Sequence, residues 1–264
     1  DLNRAGTPLL EMVSMPNMRS VAEARAFMET LRQILLYTNV SDCKMQEGSL
    51  RFEASISLRP SGQEKLGARV EIKNLNSMKA VSDCLEYEIK RQTELLENGE
   101  EVDRETRLWD AERGRSARMR SKEEAHDYRY FPDPDLPQFT IDDEWLEDIK
   151  AALPELPTRR KRRFVEEYGL SEYDASVLTD QKPLADYFEE TVEHYENAKS
   201  IANWMMNDIM AVLNERDIPI TDFEIEPADL AELVSMADEG KVTAQAARDV
   251  LEEMIETGKD AESL

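Results

Sequence analysis

Residues 50–59 read LRFEASISLR. Leu50, Phe52, Ala54, Ile56 and Leu58 alternate with Arg51, Glu53, Ser55, Ser57 and Arg59. A period of two places successive side chains on opposite faces, so this is a strand with one face buried. After the polar loop PSGQEKLG, the run ARVEIK alternates again, with Val70 and Ile72 set against Arg69, Glu71 and Lys73. The two runs are read as an antiparallel pair. Ahead of them, Ala24, Phe27, Met28, Leu31, Ile34 and Leu35 recur at helical spacing, and Ser20 and Glu23 stand three apart as in a capping box. Behind them, NLNS supplies capping residues for a helix over about 78–96, with Met78, Val81, Leu85 and Ile89 facing inward. ETRLWD and SARMRS flank the turn AERGR as a hairpin, and AHDYRYF reads as a last strand.

The texture changes after the prolines of FPDPDLP. PELPTRRKRRFVEEYGL, PLADYFEETVEHY, AKSIANWMMNDIMAVLNE, PADLAELVSMADEG and TAQAARDVLEEMIETG are all helical by period, and Gly169, Gly240 and Gly258 fall where helices end. The reading is an α+β part followed by an all-α array, with the boundary between Pro132 and Pro157, just after Leu153. The opening DLNRAGTP, without a methionine, reads as the middle of an element, so an internal fragment is expected.

Composition sharpens that division. Residues 1–130 carry 21 Lys/Arg against 23 Asp/Glu, whereas residues 131–264 carry 12 against 34. A strongly negative field disfavours non-specific contact with nucleic acid while leaving room for a local basic one. No apolar run has the length of a membrane span and no leader pattern opens the chain. Cys43 and Cys84 have no metal-ligand spacing and suit a reducing cytoplasm, and His126 and His194 are far apart. Neither GxxxxGK[ST] nor GxGxxG occurs.

Two stretches carry candidate chemistry. Arg51, Glu53, Ser55, Glu71 and Lys73 share one side of the strand pair, next to Asn74 and Asn76. This is either a solvated face with cross-strand ion pairs or a pocket where cations hold phosphate oxygens and carboxylates hold a hard cation. Glu11, in the mostly apolar TPLLEMVS, must be exposed, paired or bound to a cation. The second stretch, RRKRR at 159–163, follows Thr158, a candidate N-cap. It either contacts phosphate or pairs with Glu155, Glu166 and Glu167.

DLNRAGTPLLEMVSMPNMRS, SDCKMQEGSLR, EIKNLNS, DYRYFPDPDL and ELP, in this order, resemble the GatB family along nearly the whole chain. These proteins are the B subunits of the bacterial aspartyl/glutamyl-tRNA amidotransferase. The resemblance implies an α+β fold: a truncated cradle-like catalytic domain with antiparallel strands over 1–153, an all-α helical domain over 154–220, and the start of a YqeY-like tail over 221–264. The cradle runs into the helices without the synthetase-like insertion of the archaeal relative.

The implied activity uses ATP and Mg2+ to phosphorylate the side-chain carboxylate of Glu-tRNA or Asp-tRNA. Ammonia made by an amidase partner then displaces the phosphate, and a third, small strap protein completes a cytoplasmic heterotrimer. Glu11 matches a magnesium ligand of the family, with Arg51 and Glu53 beside it in the catalytic set. Ser55, Glu71, Lys73, Asn74 and Asn76 would line the ATP and phosphoryl pocket. Tyr128, Arg129 and Tyr130 of DYRYFP, with Arg159, Arg160 and Lys161, would contact tRNA. The family more often reads SLRCDANIS, so Phe52, Glu53 and Ser55 depart from it, and Glu53 stands one methylene longer than the expected aspartate. The alternative is a non-catalytic tRNA-binding or assembly module.

Overall fold

The computed structural model describes residues 6–119, 134, 135, 137, 138 and 140–264. The chain divides into two compact units, residues 1–29 with 44–129, and residues 30–43 with 130–264. The boundary expected after Leu153 falls inside the second of these.

The first unit is built on a four-stranded sheet of order β1-β2-β3-β4. β1 (Ala54–Ile56) and β2 (Val70–Lys73) run antiparallel, as the alternation predicts, with Ser55 opposite Glu71. β3 (Glu105–Asp110) and β4 (Arg115–Arg118) form the expected hairpin, with Trp109 opposite Ser116. Between these pairs, β2 and β3 lie parallel, which the sequence reading did not anticipate. Parallel neighbours need a long crossover, and helix α2 (Met78–Glu97) supplies it. In the loop between β1 and β2, a side chain on Gly67 would collide with the backbone oxygen of Leu58, so the returning chain has room only for glycine there.

Helix α1 (Val21–Tyr37) starts with one half of the expected capping box, Ser20 Oγ accepting from the Glu23 amide at 3.1 Å, while the Glu23 carboxylate accepts from the Arg19 amide at 2.6 Å rather than from that of Ser20. Met28 and Leu35 are buried, but Phe27, expected inward, is 42% exposed. α2 begins at Ser77, whose Oγ accepts from the Ala80 amide at 3.0 Å. Its fully buried stripe is Val81, Cys84, Glu88 and Gln92, while Met78, Leu85 and Ile89 are only half-buried. The buried face is therefore turned from the one the apolar residues mark. Burial of the thiol pushes the Cys84 pKa up to about 12, so it is an inert core group. Val70, Ile72, Leu75, Val81 and Cys84 pack with Trp109, whose ring meets Tyr87 edge-on at 6.0 Å.

In the second unit, α3 (Asp143–Ala152), not predicted from the sequence, is capped by Asp142 and buries none of its residues, leaving Trp145 49% exposed. α4 (Pro157–Tyr168), α5 (Glu172–Leu178), α6 (Lys182–His194), α7 (Ala198–Trp204), α8 (Met210–Arg216), α9 (Pro227–Asp238) and α10 (Ala244–Thr257) follow. A π turn over Met205–Ile209 joins α7 to α8 without a break. Gly169 and Gly258 end α4 and α10 in the left-handed conformation. The start of α4 departs from expectation. Pro157 occupies the first turn after Leu156, and Thr158 lies inside the helix rather than at its cap. Phe164, Leu178, Phe188, Ile201, Met205, Ile209, Leu230 and Leu233 form one continuous core, and Trp204 is buried with the Arg248 guanidinium 5.9 Å from its ring centre.

Candidate functional site

The polar face of the strand pair assembles as the alternation requires. Because 53, 71 and 73 point away from the buried Ala54, Val70 and Ile72, Lys73 Nζ reaches Glu53 Oε2 at 2.7 Å and Glu71 Oε1 at 2.8 Å. Hydrogen bonds to Glu53 and Glu71 hold the Lys73 ammonium above its ordinary pKa, so it stays charged. Lys73 is 39% exposed and Glu53 58%, so the group is open to a ligand. Ser55 is exposed beside it, and Arg51 is exposed with no ion pair among the described residues.

Asn74 has another role. Its φ is +67°, and its amide donates to the Trp109 backbone oxygen at 2.9 Å. A short polar side chain tolerates that left-handed turn. The amide is thus engaged in tying the end of β2 to β3 rather than free to line the pocket. Asn76 is exposed and only 3.4 Å from the Asn74 side-chain oxygen.

Glu11 lies in an exposed segment that is neither helix nor strand, together with Leu9, which is 91% exposed. Among the described residues no group of three or more His, Cys, Asp or Glu is placed to hold a metal ion. Carboxylate oxygens suit magnesium, but the described residues alone do not assemble a ligand set for it. Lys73 sits where a cation bridging Glu53 and Glu71 would sit, and Glu11 does not join them in a ligand set.

The first unit also contains a buried ionic network that the sequence reading missed. Glu88 is fully buried and accepts from Arg91 Nη2 at 2.8 Å, from Gln92 at 3.0 Å and from the Ser116 hydroxyl. Arg107 Nε lies 3.1 Å from the same carboxylate and 2.6 Å from Ser116 Oγ. Burial would raise the Glu88 pKa, but the bonds from Arg91, Ser116 and Gln92 outweigh it and hold the carboxyl below its ordinary value. The only signal for it in the sequence is Glu88 and Gln92 falling on the same stripe as Val81 and Cys84.

The RRKRR run splits by helical geometry. Arg160 is buried, with Nη1 2.6 Å from Asp186 and Nε donating to Glu189 at 2.9 Å. Arg163 pairs with Glu155 at 2.6 Å and also with Glu189. Burial opposes ionisation of Glu189, but donors from Arg163, Arg160 and Tyr168 hold its pKa below the usual value. Arg160 is thus removed from the expected contact set, because its guanidinium is consumed inside the fold. Lys161 is 3.1 Å from Glu172. Arg159 is 85% exposed, with only a 3.7 Å approach to Glu155. Tyr128, Arg129 and Tyr130, and the strand predicted there, lie outside the described residues. No helix among the described residues is long and apolar enough to cross a membrane.

The model of the GatB/GatE catalytic domain matches residues 1–147, and that of a GatB domain matches 186–264. The chain belongs to the GatB/GatE catalytic-domain family. It is 52% identical over 99% of its length to the B subunit of the aspartyl/glutamyl-tRNA(Asn/Gln) amidotransferase of Carboxydothermus hydrogenoformans, covering 54% of that protein. The B subunit of Caldicellulosiruptor bescii is 51% identical over 99% of the chain, with 55% of that protein covered. That of Brevibacillus brevis is 47% identical over the whole chain, again with 55% covered. The chain spans about half the length of the curated relatives it matches.

Proposed function

We propose that the protein acts as the GatB component of a tRNA-dependent amidotransferase, converting Glu-tRNA(Gln), Asp-tRNA(Asn) or both to the amidated forms. The observation that supports this best is identity near one half along the whole chain with relatives of that name. The activity uses ATP. A carboxylate oxygen of the misacylated side chain attacks the terminal phosphorus and ADP leaves. Ammonia, released from glutamine by the amidase partner, then attacks the acyl carbon and inorganic phosphate leaves. Such a reaction depends on positioning and on charge placed where the phosphoryl group passes.

In this reading, Lys73 and Arg51 face the phosphoryl oxygens, Glu53 and Glu71 hold Lys73 in position, and Ser55 and Asn76 border the pocket. Glu11 is the proposed magnesium ligand, although the described residues alone do not complete the ion's coordination. Residues 1–153 form the catalytic part, 154–220 the helical part and 221–264 the start of the tail. The amidase, the small strap protein and misacylated tRNA are the partners, in the cytoplasm.

The test is ATP-dependent formation of Gln-tRNA or Asn-tRNA by the full-length protein reconstituted with its amidase and strap partners. Wild type turns over, and Glu11→Gln loses turnover while still binding tRNA. Full activity in the variant returns Glu11 to a structural position. No activity in wild type refutes the catalytic reading.

A further inference from the structure

Arg159 and Arg162 are three apart and so lie on one side of α4, away from the buried Arg160, while the part-buried Arg163 beside them is taken up by Glu155 and Glu189. Arg159 and Arg162 are exposed, and Arg162 makes no ion pair among the described residues. In a chain of net charge −24, that is unusual placement. The other three cations of the run, Arg160, Lys161 and Arg163, each lie within 3.1 Å of a carboxylate. Arg159 and Arg162 open instead onto a concavity of about 320 Å3, walled by Ile34 and Leu156, with Thr158 at its edge. Two guanidiniums and a hydroxyl above an apolar wall match a charged phosphodiester attached to an apolar-faced sugar and base.

We propose that this concavity grips the RNA backbone, with Arg159 and Arg162 as the phosphate ligands, Thr158 as a hydrogen-bonding partner, and Ile34 and Leu156 against the ribose. This rests on the amidotransferase reading and deepens it. The basic run is a two-residue grip on one helix side, backed by two arginines that hold the helix in place, rather than a continuous cationic patch.

The experiment is filter binding of a tRNA transcript to the full-length protein across a salt series. Arg159→Gln/Arg162→Gln is expected to weaken binding about 10-fold or more at low salt. It should also flatten the slope of log affinity against log salt by about 1.4–1.8, since each lost phosphate contact removes about 0.7–0.9. Arg162→Glu alone, a single surface change, should act in the same direction. The comparison variant Lys90→Gln/Arg216→Gln removes the same charge from two other exposed positions and should change affinity less than twofold. Equal losses in the two double variants would overturn the grip in favour of diffuse charge. Unchanged affinity and slope in both arginine variants, with wild type binding normally, would overturn the grip and leave the amidotransferase reading standing. A wild-type protein that binds no tRNA would overturn both.

Discussion

The two units handle charge differently. In the sheet unit, one ionic group lies in the open, with Lys73 between Glu53 and Glu71, and another is sealed in, with Glu88 beneath Arg91, Arg107 and Ser116. In the helical unit, a single run of five cations is divided by the helix itself. Arg160 and Arg163 point inward onto Asp186, Glu155 and Glu189, while Arg159 and Arg162 remain outside. The helical unit has a large continuous apolar core. The sheet unit has a smaller core and relies on Glu88 to join α2 to β3 and β4. The type of residue is therefore a poor guide to its availability. Its position relative to the helix or strand period decides whether it is structural or free.

The strongest way to break the comparison is Glu88→Ala. It leaves Arg91 and Arg107 with Glu105 as their carboxylate partner, and removing one partner from a buried ionic group costs about 3–5 kcal/mol. Hydrogen exchange should show the amides of β3 and β4 losing protection while those of α6 and α9 keep theirs. Equal loss in both would mean the units do not hold their charges independently.

Acid provides the next test. Glu88 and Glu189 both have pKa values lowered from 4.5. Their folded forms bind fewer protons than their unfolded forms below that value. Their stabilisation is present above about pH 4.5 and is lost as pH falls through their lower folded values. Stability should change little through these two groups between pH 7 and 5. Below that it should decline by about 1.4 kcal/mol per pH unit for each carboxyl still ionised only in the fold. A thermal melting series read by circular dichroism checks this.

The smallest effect on stability is expected at Lys73→Met. Pairs this exposed contribute about 1 kcal/mol or less, so the urea midpoint should barely move, while amidation by the reconstituted complex should fall sharply. A large loss of stability would place Lys73 with the structural charges and remove the contrast with Glu88.

Much of this was legible in the residues. Alternation marks both strands of the β1–β2 pair and the exposed side that carries Glu53, Glu71 and Lys73. Ser20 with Glu23, and Ser77, mark helix starts because their side chains cap by local geometry. Other features depend on partners distant in sequence. Glu88 is buried only because Arg107 and Ser116 come beneath it, so the apolar pattern of α2 points at Leu85 and Ile89 instead. Asn74 looks like a pocket residue until Trp109 arrives to accept its amide. The fate of RRKRR depends on Asp186 and Glu189, more than twenty residues away. Helix α3 escaped because its apolar residues bury nothing and its acidic flank reads as a loop.

The placement of the tryptophans turns this architecture into an optical instrument. Trp109 lies in the sheet core, Trp204 in the helical core and Trp145 on the exposed α3, and the chain has only these three. Iodide should quench Trp145 readily and leave the other two emitting. Replacing Trp145 with phenylalanine, and then Trp109 or Trp204 in turn, would leave a single emitter inside one core, so that the melting of the sheet and of the helices could each be watched by colour.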